Sequence, residues 1–212
     1  MNLAEIRTQY LLSELNEEDI GTDPVLFFSK WLSNAIEAQA MEPTAMVLST
    51  VDDRCMPSSR VVLLKACEEG EFRFFTNYNS TKGIQIASNP SGALLFFWKE
   101  LERQVRIEGK IHKLPAQLSD EYFDSRPAEN RLGAIVSPQS QVIESRKELE
   151  GLFMGKMHLL KSAEALVRPE HWGGYALVPV SIEFWQGRAS RLHDRIRFRK
   201  EDGQWLRERL AP

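Results

Sequence analysis

The stretch Tyr175-Ala-Leu-Val-Pro-Val-Ser-Ile-Glu-Phe-Trp-Gln-Gly-Arg-Ala-Ser-Arg-Leu-His-Asp-Arg195 carries the reading of the chain. Tyr175 to Val180 is rich in β-compatible residues. Ser181, Glu183 and Trp185 then alternate with Ile182, Phe184 and Gln186, the periodicity of a strand. Gly187 breaks it. Arg188, Arg191, His193, Asp194 and Arg195 follow within eight residues. Arg191 and His193 are two apart, so extended backbone would point them to one face. Beside a tryptophan, such a cluster suits an anionic aromatic ligand: arginine brings charge and stacking, histidine hydrogen bonding, tryptophan a wall. The same run also reads as a solvated basic edge strand, the commoner fate of a charge run.

Composition narrows the classes. A chain of 212 residues allows one generous domain or two small ones. A net charge of −3 argues against a nucleic-acid binder. Cys55 and Cys67 form no CxxC pair, which argues against a disulfide scaffold or zinc ribbon and fits a reducing compartment. The N-terminus carries acidic residues without a basic-then-apolar signal pattern, and the longest apolar run, Ala93 to Trp98, is far too short for a membrane span. A cytoplasmic protein is expected. His112, His158, His171 and His193 make no HExxH pattern, so no metal site is expected.

Working outward, residues 2–15 read as a helix, with Ile6, Tyr10 and Leu11 on one face. Asp23-Pro24 is an N-cap followed by proline, opening a core-packing helix to about Ala40 in which Trp31 is core. Thr44 to Thr50 is β-compatible, and Arg60-Val-Val-Leu-Leu-Lys65 is a strand with a cation at each end. Those two cations differ by an odd number, so a regular strand puts them on opposite faces. Phe72, Phe74 and Phe75 lie in another strand ending at Thr76. Asn79-Ser-Thr-Lys-Gly83 opens a helix whose free N–H groups, with Lys82, make a phosphate seat. Ala93 to Trp98 is a central strand, and Gln104 to Ile111 another, with Gln104, Arg106 and Glu108 on its polar face. Tyr122 and Arg126 are i and i+4 in a helical region after Pro115, hence neighbours. Ile196 to Lys200 and Gln204 to Arg209 form a closing hairpin. Strands do not alternate strictly with helices, and no GxGxxG follows the first strand, which argues against a Rossmann sheet and for an antiparallel, barrel-like α+β domain.

Several of these segments together resemble the pyridoxine/pyridoxamine 5′-phosphate oxidase family. They are "EFWQG…RLHDR" from Glu183 to Arg195, "RLAP" from Arg209 to Pro212, "RVVLLK" from Arg60 to Lys65, "TNYNSTK" from Thr76 to Lys82, "ERQVRIEG" from Glu102 to Gly109, "YFDSRP" from Tyr122 to Pro127 and "SPQS" from Ser137 to Ser140. Arg7 and Tyr10 match the spacing of the family's N-terminal Arg-x-x-Tyr. Phe75 stands where tyrosine is frequent. Asn130-Arg-Leu-Gly-Ala134 replaces the common S-Q-I-G-A, which leaves open a relative acting on a different substrate.

The resemblance implies an α+β fold, an antiparallel split β-barrel with flanking helices. Residues 1–20 would be an N-terminal segment serving as a lid, and residues 21–212 a single FMN-binding domain, usually a homodimer with FMN in the subunit interface. It implies oxidation of pyridoxamine or pyridoxine 5′-phosphate to pyridoxal 5′-phosphate, with oxygen reduced to hydrogen peroxide, and neither nucleic acid nor membrane as partner. Carried over by position, FMN contacts would come from Arg60, Val61, Val62, Leu63, Leu64, Lys65, Phe75, Thr76, Thr81, Lys82, Gln104, Gln139, Ser140, Trp185 and Arg195. The substrate phosphate would meet Lys65, Tyr122, Arg126 and Asn130. Arg191, Leu192 and His193 would lie against the pyridine ring, Arg191 and His193 as the catalytic pair, under Arg7 and Tyr10.

Overall fold

The computed structural model describes residues 2–5, 9–161 and 166–212. Its centre is an antiparallel sheet whose strands pair because apolar residues recur at every second position. β1 (Ala45–Val51) buries Met46, Leu48 and Thr50 and turns the alternate residues outward. β2 (Pro57–Leu63), β3 (Ala66–Glu68), β4 (Glu71–Asn77), β5 (Ser91–Trp98), β6 (Arg103–Lys113), β7 (Trp172–Gln186), β8 (Asp194–Glu201) and β9 (Gln204–Arg209) complete it. The pairing order is β2-β1-β5-β6-β7-β4-β3, and β8 joins β7 and β9.

β7 organises this arrangement. Its first half pairs with β4, from Trp172 against Asn77 to Leu177 against Phe72. The second half pairs with β8, from Ser181 against Arg199 to Gln186 against Asp194. β6 follows β7 through both halves, with a register shift between Glu108 and Gly109. A Cβ at Gly109 would run into the Val178 carbonyl, so only glycine lets the two strands close at the bulge. The strand therefore passes from one wall to the other, and the sheet curls without closing: a split barrel.

Six helices flank the sheet among the described residues: α1 (Glu17–Ile20), α2 (Pro24–Glu37), α3 (Thr81–Ser88), α4 (Ala116–Ser125), α5 (Ala128–Val136) and α6 (Arg146–Gly155). α2 seals the core. The Asp23 carboxylate accepts from the Val25 and Leu26 N–H groups, a cap of the kind that contributes about 1 kcal/mol. Phe28 meets Phe72 and Phe96 at centroid distances of 5.0 Å each, and Trp31 meets Phe184 at 5.3 Å. Trp31 is core, as expected.

The structure corrects several local expectations. Residues 2–15 are not one helix: Leu3–Glu5 is a 3-10 turn, Gln9 to Asn16 is non-helical, and α1 is a single turn after it. Repeated contacts to distant side chains replace helical pairing there. α2 stops at Glu37, short of Ala40. β2 ends at Leu63, so Lys65 lies beyond the strand. Arg126 is not on the helix of Tyr122: it caps α4 in extended conformation because Pro127 follows. Arg191 and His193 do not share an extended stretch. Ala189–Arg191 is a 3-10 turn in which Ser190 and Arg191 both have positive φ, 55° and 61°. Among the described residues, no helix is long and apolar enough to cross a membrane, and no cluster of potential metal ligands occurs.

Candidate active site

Two cations are brought together where β2 meets α3. Arg60 is half-buried. Its guanidinium donates to the Leu48 carbonyl at 3.2 Å, Thr50 Oγ1 at 2.5 Å and Gln85 Oε1 at 3.3 Å. The Gln85 amide donates in turn to Ser58 Oγ at 3.2 Å. Lys82 sits in the first turn of α3, capped by Ser80. Its ammonium donates to Thr76 Oγ1 at 3.2 Å, Ser80 Oγ at 3.3 Å and Gln139 Oε1 at 3.1 Å. Burial, then the charge of Arg60, lowers the Lys82 pKa, and burial also lowers that of Arg60. No carboxylate figures among the charges acting on either group. Two partly desolvated like charges held by neutral oxygens are a seat waiting for an anion, and a phosphate dianion fits that donor set.

A second centre lies beside it. Phe75 stacks on Tyr122 at 3.9 Å, and Trp172 lies nearly parallel to Tyr122 at 6.2 Å. Arg126 sits over the Trp172 ring at 4.7 Å. Its NH1 is buried with no hydrogen-bond partner. Such a buried unsatisfied donor costs about 1–3 kcal/mol, more for a charged group, and an acceptor oxygen in the adjoining cavity would relieve it. Arg126, Asn130, Asn77, Gln139 and Trp172 line a cavity of about 310 Å³ here. Gln139 thus touches both centres, since it also accepts from Lys82 and from Thr76 at 3.1 Å. Ser140, exposed and at φ 69°, follows it. Thr81 is exposed at the start of α3.

The third element is an aromatic wall. Gln104, Trp185 and Arg195 lie side by side across β6, β7 and β8. Trp185 meets His193 at 4.6 Å, and Tyr10 meets Trp185 at 5.6 Å and His193 at 5.8 Å. His193 Nδ1 accepts from the Arg188 N–H at 3.1 Å, so the neutral ring carries its proton on Nε2. Burial, then the charge of Arg191, lowers the His193 pKa, and Asp194 opposes them. Arg191 and Leu192 are exposed beside it. Arg195 is engaged internally: with Arg106 it neutralises Glu183, a carboxylate only 3% exposed, at 2.8 Å and 2.9 Å.

The remaining expected residues differ in exposure. Val61, Leu63 and Lys65 are exposed, Val62 is half-buried and Leu64 is buried. Arg7 lies outside the described residues. Thr50, Gln85 and Ser58, which fix Arg60, carried no sequence signal, because β1, β2 and α3 meet only in three dimensions. Glu183 stands in the quoted stretch between Ile182 and Phe184, where its only signal is a place in the strand alternation.

Two family descriptions match the chain. "Pyridoxamine 5'-phosphate oxidase" covers residues 32–153, and "Pyridoxine 5'-phosphate oxidase C-terminal dimerisation region" covers residues 172–212. Among curated relatives, the pyridoxine/pyridoxamine 5′-phosphate oxidase of Leptospira interrogans is 50% identical over 99% of this chain and 98% of its own. That of Verminephrobacter eiseniae is 53% identical over 100% and 99%. PhzG from Burkholderia lata, solved in complex with tetrahydrophenazine-1-carboxylic acid, superposes with a TM-score of 0.89 at 27% identity, covering 95% of this chain and 99% of that one. A related FMN-binding protein from Nostoc punctiforme shares the fold at a TM-score of 0.73 and 17% identity, over 87% and 97%. With its sequence matched from end to end by such relatives, the chain belongs to the pyridoxamine 5′-phosphate oxidase family.

Proposed function

We propose that this protein is an FMN-dependent oxidase that converts pyridoxamine or pyridoxine 5′-phosphate to pyridoxal 5′-phosphate. It works as a homodimer joined through the region of β7 to β9. When bound, FMN supplies the acceptor for the hydride lost from the substrate's 4′ carbon and passes both electrons to oxygen, giving hydrogen peroxide. With the amine substrate, water completes the exchange and ammonia leaves.

The observation that carries this reading is the pair of anion-seeking centres bridged by Gln139. Arg60 and Lys82, with Thr76 and Thr81, hold the FMN phosphate. Gln104, Trp185 and Arg195 present a flat polar edge for its ring system, which Val61 to Lys65, Phe75 and Ser140 border. Arg126 aims its unpaired NH1 at the substrate phosphate, which Tyr122, Asn130 and Lys65 complete. Arg191, Leu192 and His193 face the pyridine ring. His193 offers the Nε2 proton as a donor to the ring's polar substituents, and Arg191 offers positive charge beside it. The described part of the N-terminal segment, with Tyr10, closes over residues 21–212 as a lid. The reaction takes place in the cytoplasm.

The test is direct. The purified protein should be yellow, release FMN and not FAD on denaturation, and consume oxygen with pyridoxamine 5′-phosphate. A colourless protein that takes up no added FMN would refute the reading.

A further inference from the structure

Residues 10–16 cross the mouth of the aromatic wall as a non-helical arm. Leu11 and Leu12 are 70% and 63% exposed, so apolar burial does not hold this part of it. Polar groups from far along the chain do. Glu102, at φ 54° in the turn between β5 and β6, accepts through Oε2 from the Leu11 N–H at 2.8 Å and the Leu12 N–H at 3.0 Å. Asp194 Oδ2 accepts from the Leu15 N–H at 3.1 Å. Asp194 is itself held by Arg188 at 3.4 Å and Arg209 at 2.9 Å. Those arginines reach back to the arm, Arg188 to Glu14 at 2.8 Å and Arg209 to the Leu15 carbonyl at 3.0 Å.

Gly187 is an independent sign of the same docking. A Cβ there would come within 2.7 Å of both Cβ and Cγ of Tyr10, the stiff root of that side chain. Residue 187 is thus a notch that admits the tyrosine. The Gly187 N–H donates to the Glu102 carbonyl at 2.8 Å, which ties the notch to the carboxylate clamp.

We propose that Glu102 and Asp194 are positioning residues, and Gly187 their notch, which dock the arm so that Tyr10 completes the wall around His193. They set substrate affinity without touching substrate. This rests on the assignment of residues 191–193 to the substrate wall.

The test uses the FMN-loaded enzyme and its Glu102→Gln, Asp194→Asn and Gly187→Ala variants. Three quantities are read: amide exchange of the peptide spanning Leu11 to Leu15, FMN affinity by flavin fluorescence, and steady-state kinetics. Expected are an acceleration of exchange by about tenfold, a rise in KM of about five- to twentyfold, and kcat and FMN affinity within about twofold of wild type. Unchanged exchange in all three variants would overturn the proposal, as would faster exchange with unchanged KM, or loss of FMN in place of a KM effect. Failure of the parent reading looks different: the unmutated protein would then bind no FMN or oxidise no pyridoxamine 5′-phosphate.

Discussion

The seat proposed for a cofactor phosphate, at Arg60 and Lys82, and the side proposed for the substrate, at Arg126 and Arg191, are built differently. In the seat, each cation is held by neutral oxygens, from β1 and α3 for Arg60 and from β4, the cap of α3 and the Gln139 turn for Lys82. On the substrate side, Arg126 caps a helix with one donor unpaired, and Arg191 stands exposed on a left-handed turn. One half is preorganised: protein oxygens hold its donors, while no carboxylate balances its charge. The other leaves a buried guanidinium donor without a hydrogen-bond partner. A resident cofactor calls for the first arrangement, and a substrate that must come and go for the second.

The largest effect should come from Arg126→Met. A charged hydrogen bond contributes about 1.5–3 kcal/mol, so kcat/KM should fall at least about tenfold to a hundredfold, while flavin content stays at the wild-type level. Flavin absorbance and initial rates of oxygen uptake check both. Equal efficiency on pyridoxine and its 5′-phosphate in the unmutated enzyme would remove Arg126 from the substrate side altogether.

Next is Lys82→Met, which removes one charge of the seat. FMN affinity should weaken about tenfold or more, and activity should return as excess FMN refills the site by mass action. A fluorescence titration measures it. Thr50→Val probes the same seat more gently. It leaves Arg60 without its shortest bond, at a cost of about 1 kcal/mol, or roughly fivefold in FMN affinity. If Thr50→Val impairs kcat but not FMN affinity, the seat is not a cofactor seat.

The smallest effect is a pH dependence. The His193 pKa in the folded protein lies below the ordinary histidine value of 6.5 because burial and Arg191 disfavour its charge. Between those two values the unfolded chain binds more protons, so this group's contribution to stability rises with pH and is complete above 6.5. Activity that requires neutral His193 should follow the same direction, falling on acidification with an apparent pKa below 6.5. His193→Asn should flatten that limb of the kcat/KM profile.

Legibility in the sequence divided along the same line. Strands with strict alternation, the Asp23-Pro24 cap and the Ser80-Thr81-Lys82 helix start were local signals, and the structure bears them out. The closing hairpin of β8 and β9 was local too. The 2–15 segment misled because its helical spacing of apolar residues is overridden by Glu102 and Asp194, which lie some 90 and 179 residues away in the chain. The Ser190-Arg191 turn misled for a related reason: left-handed backbone at non-glycine residues leaves no trace in composition. Gln139 as a bridge between two centres was legible only as a motif match, since its link to Lys82 spans 57 residues.

Flavin retention and single-turnover flavin reduction, measured side by side in Lys82→Met and Arg191→Met, separate the two halves. Lys82→Met should lose FMN on gel filtration and reduce it normally once the cofactor is resupplied. Arg191→Met should stay yellow and dimeric while reduction by pyridoxamine 5′-phosphate slows. An Arg191→Met protein that sheds its flavin, yet is reduced at the wild-type rate when FMN is added back, would place that arginine on the cofactor and contradict the division.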